Sequence, residues 1–260
     1  MPELPEVETA RRLVETECLN RTITAIEPGE DTSFVTLPGG NELARFLGHR
    51  FTQARRHGKQ LLFGSAQGPW LAVHLGMSGS LRPFDTPADP PPRTRWLISF
   101  EGARRLAFRD PRKFGATYVV DDPDAFLAAR KLGPDALTIT PRRFATTLGA
   151  SKAPIKAALL NQQRIAGVGN LWSDEVLFQT GIDPRTRADT LDAKTLEKIR
   201  KSLRTVLQAV IDTGARYRRL PDDWLIHHRK NGAKCRRCGG TVRHRKVGGR
   251  TAYFCAQHQG

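Results

Sequence analysis

Val7, Ala10, Val14 and Cys18 recur at helical spacing, so the chain is predicted to begin with an amphipathic helix that buries one stripe. Pro5 suits its first turn, where a missing N–H costs nothing, and Glu6 and Glu8 suit the positive end of its dipole. Cys18 is in phase with the stripe and is expected as a buried core thiol. The pattern then shortens to TITAIE, SFVTL, FTQARR, KQLLF, WLAVHL, WLISFE, RRLAF and ATYVV, separated by turns such as PGG, GSAQGP and EG. Short strands at this density predict a sandwich or barrel, with the proline-rich FDTPADPPPRTR as a surface loop. Beyond KLGPDALT the period becomes helical again in IKAALLNQQ, LWSDEVLFQTG and TLEKIRKSLRTVLQAVIDTG. In the last of these Leu196, Ile199, Leu203, Val206, Leu207 and Val210 share a face. The end of the chain reads as two short strands about a VGG turn. An α+β chain is therefore expected, with a β-sandwich over residues 1–134, an all-helical domain over 135–228 and a small finger over 229–260.

Charge adds a partner to this picture. The 260 residues carry 42 Lys+Arg against 26 Asp+Glu, a formal charge of +16. Residues 214–250 hold twelve of the cations and only Asp222 and Asp223 as counter-charges. A local surplus of this kind predicts a docking face for a polyanion, nucleic acid above all. No run of 18 apolar residues occurs, and the acidic start lacks the basic and apolar regions of a signal peptide, so a cytoplasmic chain without a membrane span is expected.

Cys235, Cys238, Cys255 and His258 stand in a C-x2-C-x16-C-x2-H spacing. Paired ligands at both ends of a hairpin can close a tetrahedron around one zinc ion, and a strand pair too small for a core needs such a staple. His244 is the alternative fourth ligand. A closed four-ligand site is structural, so the chemistry is expected elsewhere.

In RIAGVGNLWSDE, Gly167 and Gly169 would let backbone amides approach a bulky partner, with Asn170 as N-cap of a helix starting at Leu171. Exposed amides there would cradle phosphate, although a tight interhelical turn requires the same residues. Lys59 follows a basic turn in ARRHGKQLLF. In FRDPRKFGA an exposed Phe114 flanked by Arg112 and Lys113 would suit insertion between stacked bases. The opening MPELPEVE offers either a helix cap or a nucleophile. If Met1 is trimmed, Pro2 carries a terminal secondary amine beside Glu3 and Glu6. With a reference pKa of about 8 against about 10.4 for lysine, such an amine is unprotonated roughly a hundred times more often near neutrality.

Together PELPEVE, RRHGK, HLGMSGSLR, DPRKFG, LGPDAL, IAGVGNLWSDE and the C-terminal finger resemble the formamidopyrimidine-DNA glycosylase and endonuclease VIII family, across nearly the whole chain. The start and HLGMSGSLR are similar to the formamidopyrimidine branch. The resemblance implies a β-sandwich with a catalytic helix, a helix-two-turn-helix domain and a zinc finger, acting as a monomer on double-stranded DNA that contains damaged bases or abasic sites. It implies a bifunctional glycosylase and AP lyase in which Pro2 attacks C1′, Glu3 donates the proton, and Glu6 and Lys59 assist. By the same similarity Lys59, Asn170 and Arg250 meet the DNA backbone or minor groove, and Lys156 and Glu175 lie around the pocket. Met77, Arg112 and Phe114 fill the void left by the flipped base.

Two features depart from the family pattern. Family fingers commonly close with four cysteines, where this chain has His258. The branch also usually carries a longer glycine-bearing loop before the finger, whereas here ARYRRLPDDWLIHHRKNGAK spans the gap and WLIHHRKNG resembles the endonuclease VIII style. Specificity for oxidised pyrimidines is therefore the alternative reading within the family. A DNA-binding protein without activity is the alternative outside it.

Overall fold

The structure is a computed structural model of residues 1–260, in which all but 30, 31, 34 and 66 are described. The chain forms two compact units. One comprises Met1–Pro2 and Glu6–Lys131, the other Glu3–Pro5 and Leu132–Gly260.

In the first unit, helix α1 (Leu4–Cys18) buries Val7, Val14 and Cys18 as its periodicity predicts, with Ala10 packed at the margin. Burial pushes the Cys18 thiol up to about 12, so it is an inert core group. Strands β1 (Ile23–Pro28), β5 (Ser80–Asp85), β6 (Thr94–Phe100) and β7 (Arg104–Arg109) form one antiparallel sheet in the order β1-β6-β7-β5. Strands β2 (Gln53–His57), β3 (Gln60–Gly64), β4 (Trp70–His74) and β8 (Ala116–Val120) form the other, in the order β2-β3-β4-β8. Trp96, Ile98, Phe100, Leu106 and Phe108 of the first sheet share a core with Leu61, Phe63, Leu71 and Val73 of the second and with α1, which makes a two-layer sandwich. Leu62, Trp70 and Ala72 point the other way, against Phe126 and Leu127 of helix α3 (Pro123–Ala129). β3 and β4 are thus covered on both faces, which is why they read as continuous apolar runs rather than alternations. A short helix α2 (Gly40–Ala44) completes the unit.

One expected strand changes here, and one strand forms that was not among those expected. SFVTL was expected as a strand. Its Phe34 lies outside the described residues, and Thr36 makes only an isolated parallel bridge to Ala116. Conversely, SLRPFD forms β5 although Pro83 speaks against a strand. It lies at the sheet edge, where backbone donors pair on one side only and a proline is tolerated.

The second unit packs helices α4 (Pro141–Gly149), α5 (Ile155–Leu160), α6 (Asn170–Thr180) and α7 (Ala193–Asp212) around one core. Thr140 and Asp192 cap α4 and α7 through their side-chain oxygens. α6 is central, with every residue from Trp172 to Phe178 buried. On it lies the hairpin β9 (Val242–Val247) and β10 (Arg250–Cys255), whose Val242 and Cys255 pack with Phe178 and Leu225. The finger therefore shares a compact unit with the helices. Among the described residues no helix is long and apolar enough to cross a membrane.

Candidate active site and metal centre

Glu3 is 2% exposed, and its carboxylate accepts from the backbone N–H of Leu171 at 2.8 Å and of Trp172 at 3.3 Å. It therefore caps α6 from 168 positions away. This corrects the expected role of Asn170: the helix starts at Asn170 itself, the cap position is Gly169, and no side chain of the local turn caps it. Asn170 Oδ1 is buried and has no hydrogen-bond partner among the described residues. The partner that the glycine-rich turn admits is the chain's own start. Leu4 N–H donates to the Gly167 carbonyl at 3.1 Å, and a Cβ at position 169 would fall 2.2 Å from Glu3 Cδ. Pro2 precedes Glu3 and is half-buried, as is Glu6 in the first turn of α1.

Glu8, named in the sequence only for the helix dipole, links α1 to the β2–β3 turn. Its carboxylate accepts from Arg11 (Nη2, 3.0 Å), Arg12 (Nε, 3.0 Å) and Arg56 (Nε, 3.0 Å), and Arg56 in turn donates to the Gly58 carbonyl at 3.0 Å. The turn that carries Lys59 is thereby tied to α1. Burial alone would raise the Glu8 carboxyl, but the three guanidinium groups outweigh it and hold the carboxyl below its ordinary range. The spacing of Glu8 to Arg11 and Arg12 is legible as helix pairing, whereas the bond to Arg56 is tertiary. Lys59 lies in the β2–β3 turn beside Gln60, which pairs with His74. His74 is held below its ordinary value by burial and then by the charges of Lys59 and Arg130. Its Nδ1 accepts from Gly76 N–H at 3.2 Å, which places the proton of the neutral ring on Nε2.

Met77 and Phe114 are 39% and 56% exposed, unusual for large apolar side chains. The Arg112 guanidinium lies 5.3 Å from the Phe114 ring centroid, in cation–π contact. Arg250 is exposed at the start of β10.

Lys156 and Glu175 are both enclosed. Lys156 is 0% exposed and donates to the Asp174 carboxylate and, at 3.4 Å, to Ser173 Oγ and the Asn170 carbonyl. Asp174 also accepts from Arg229 at 2.8 Å and from the Tyr253 N–H at 3.2 Å, so this one carboxylate joins α5, α6 and the hairpin. Burial pushes Lys156 down and Asp174 up, and their mutual attraction opposes both shifts. Glu175 accepts from Gln179 Nε2 at 2.7 Å and from the N–H groups of Leu225 at 3.1 Å and Ile226 at 2.8 Å. Burial raises its carboxyl as well. Neither side chain reaches the surface. Each anchors a neighbouring segment, and a sequence shows a charged residue without showing whether a partner encloses it.

The Sγ atoms of Cys235, Cys238 and Cys255 lie within 4.8 Å of one another, with Cys238 and Cys255 3.6 Å apart. Tetrahedral zinc with bonds of about 2.3 Å needs sulfur atoms about 3.8 Å apart, so the trio fits three corners of such a site. His258 stands outside the cluster, its Nε2 donating to the Phe178 carbonyl at 2.8 Å. That bond leaves Nδ1 as the lone-pair nitrogen, the tautomer a metal ligand requires. His244 lies against Tyr253 in a tilted ring contact, centroids 5.9 Å apart, and is likewise outside the cluster.

Residues 1–117 match the formamidopyrimidine-DNA glycosylase N-terminal domain, and residues 132–221 match the formamidopyrimidine-DNA glycosylase H2TH domain. The chain is 35% identical to the formamidopyrimidine-DNA glycosylase of Geobacter metallireducens, with all of both chains covered. It is 34% identical to that of Thermus thermophilus, over 100% of this chain and 99% of the relative. Among solved structures it superposes on MutM in complex with DNA containing carbocyclic 8-oxo-G with a TM-score of 0.87, at 30% identity and 99% coverage of both chains. It superposes equally well on the Lactococcus lactis Fpg bound to DNA with an abasic site, with a TM-score of 0.87, at 29% identity and 99% coverage of both.

Proposed function

The chain belongs to the formamidopyrimidine-DNA glycosylase family, DNA glycosylases of base-excision repair with AP lyase activity, and from that premise we propose that Pro2 is its nucleophile and Glu3 its proton donor. The substrate is double-stranded DNA that holds a damaged base or an abasic site. With Met1 removed, the Pro2 nitrogen forms a bond to C1′ while the bond from C1′ to the base breaks, and a proton is supplied to the departing side. The C1′–O4′ bond then breaks as O4′ takes a proton from Glu3, and because the secondary amine has already lost its one hydrogen the resulting cationic iminium cannot relax to a neutral imine. This sink acidifies the C2′ hydrogen, so the phosphates on both sides of the sugar are eliminated in turn and water finally releases the enzyme.

The observation that carries this reading is the placement of Glu3. A carboxylate next to the terminal residue is 2% exposed and held by two backbone donors, so its position is set before substrate arrives. Glu6 and Lys59 assist from the first turn of α1 and the β2–β3 turn. Lys59 and Asn170 hold phosphates of the DNA backbone, Arg250 enters the minor groove, and Met77, Arg112 and Phe114 occupy the space vacated by the extruded base. In the finger, Cys235, Cys238, Cys255 and His258 would hold one zinc ion, which would serve as a structural cross-link of the hairpin ends. His258, whose Nε2 is engaged by the Phe178 carbonyl, would supply Nδ1 as the fourth ligand.

Borohydride reduction of the protein on an abasic duplex tests the assignment. Mass spectrometry is expected to find the adduct on the N-terminal peptide, without Met1. An adduct on Lys59 would overturn the choice of nucleophile, and none at all would favour a protein that binds without cleaving.

A further inference from the structure

We propose that Asp110 is a positioning residue that locks the loops bearing Met77, Arg112 and Phe114 into one preassembled wedge. This rests on the reading of those three side chains as the group that enters the opened duplex.

Asp110 directly follows β7 and is 0% exposed. Its Oδ1 accepts from Ser78 Oγ at 2.8 Å and from the Arg112 N–H at 3.4 Å, and its Oδ2 accepts from the Gly115 N–H at 2.7 Å. Ser78 adjoins Met77, and Arg112 and Gly115 bracket Phe114. One carboxylate therefore holds both loops. Ser78 closes the ring, since its Oγ also accepts from the Arg112 N–H at 3.2 Å. The backbone of Asp110 is fixed as well: its N–H donates to the Arg93 carbonyl at 3.1 Å, and its carbonyl accepts from Arg95 Nε at 2.9 Å.

The two loops also touch directly. A Cβ at Gly76 would fall 2.3 Å from the carbonyl carbon of Phe114, so the backbones are in contact and leave no room for independent movement. Burying a carboxylate without a cationic partner is unfavourable unless its lone pairs are used, and here donors from both loops use them. The outcome is two loops that expose Met77 and Phe114 on a shared, hydrogen-bonded base.

Entry into stacked DNA favours such a base. Loops that ordered only on insertion would spend ordering entropy at that step, and a misplacement of about 1 Å can cost up to about a hundredfold in rate. The contribution of Asp110 therefore falls on opening the duplex and not on the bond-breaking steps.

The test compares single-turnover excision of one lesion in a fully paired duplex and opposite a missing base, where no pairing has to be opened. Asp110→Ala and Ser78→Ala are expected to slow excision from the paired duplex about tenfold while leaving the unpaired substrate nearly unchanged. Asp110→Asn is expected to recover most of the loss, because a flipped amide still accepts from Gly115 and donates to Ser78. Phe114→Ala serves as the reference. If it shows the paired-duplex loss and the Asp110 and Ser78 variants do not, the positioning role is wrong and the wedge stands. If Phe114→Ala shows no such selectivity, the wedge reading fails and this proposal with it. Equal losses on both substrates would assign Asp110 to the fold at large. Should Asp110→Ala not fold, Ser78→Ala carries the same comparison.

Discussion

The Glu3 carboxylate lies 2.8 Å from the N–H of Leu171, so the residue next to the proposed nucleophile is also the N-terminal cap of the central helix α6. Catalytic placement and helix stability are therefore coupled. Glu3→Gln keeps an acceptor for Leu171 but cannot supply a proton, and is expected to lower base excision by about 10²- to 10⁴-fold at nearly unchanged melting temperature. Glu3→Ala is expected to add a stability loss of about 1 kcal/mol from the missing cap. Single-turnover excision beside thermal unfolding separates the two, and equal melting losses in both variants would contradict the coupling.

Glu8 predicts an acid limb of stability. Its folded carboxyl is held below its ordinary value by Arg11, Arg12 and Arg56 against the opposing effect of burial. The stabilisation is then complete above an unfolded value of about 4.3 and is lost as pH falls through the lower folded value. Glu8→Gln is expected to cost about 2 kcal/mol near neutrality, with the gap to the parent protein closing below about pH 4. Urea unfolding at several pH values reads this, and a gap constant with pH would show that the charge of Glu8 is not what matters.

The finger predicts one bound zinc per chain. Cys238→Ser is expected to lose metal and DNA binding together, since the hairpin has little core of its own. His258→Ala should lose metal while His244→Ala retains it. The reverse pattern in elemental analysis would assign the fourth position to His244.

Lesion choice follows from the segment before the finger. Residues 214–229 contain two 3-10 turns, at Tyr217–Arg219 and Leu225–His227, and bury Leu220, Trp224 and Leu225. Glu175 fixes the second turn through the N–H groups of Leu225 and Ile226. A segment this short, with these residues committed to packing, is expected not to close over a flipped purine. 8-Oxoguanine differs little from guanine, so its selection leans most on such polar contacts. Formamidopyrimidines and oxidised pyrimidines are therefore expected to be excised faster than 8-oxoguanine opposite cytosine. Single-turnover rates on matched duplexes decide it, and 8-oxoguanine as the fastest substrate would sink the idea.

The amino-acid sequence by itself determined those features that depend on local spacing. The stripe of α1, the period of α7, most strands and the cysteine pairs of the finger were legible, because one turn or one pleat specifies which residues share a face. The tertiary structure decided where long-range partners intervene. β5 forms despite Pro83 because it lies at a sheet edge, which is a property of strand order and not of the strand. Asn170 reads as a cap, yet Glu3 arrives from the far end of the chain to do that work. Lys156 and Glu175 are charged residues whose enclosure by Asp174 and by the backbone at 225–226 no local pattern announces. Burial and pairing of a charge depend on which distant segment folds against it, and that information exists only once the chain has closed on itself.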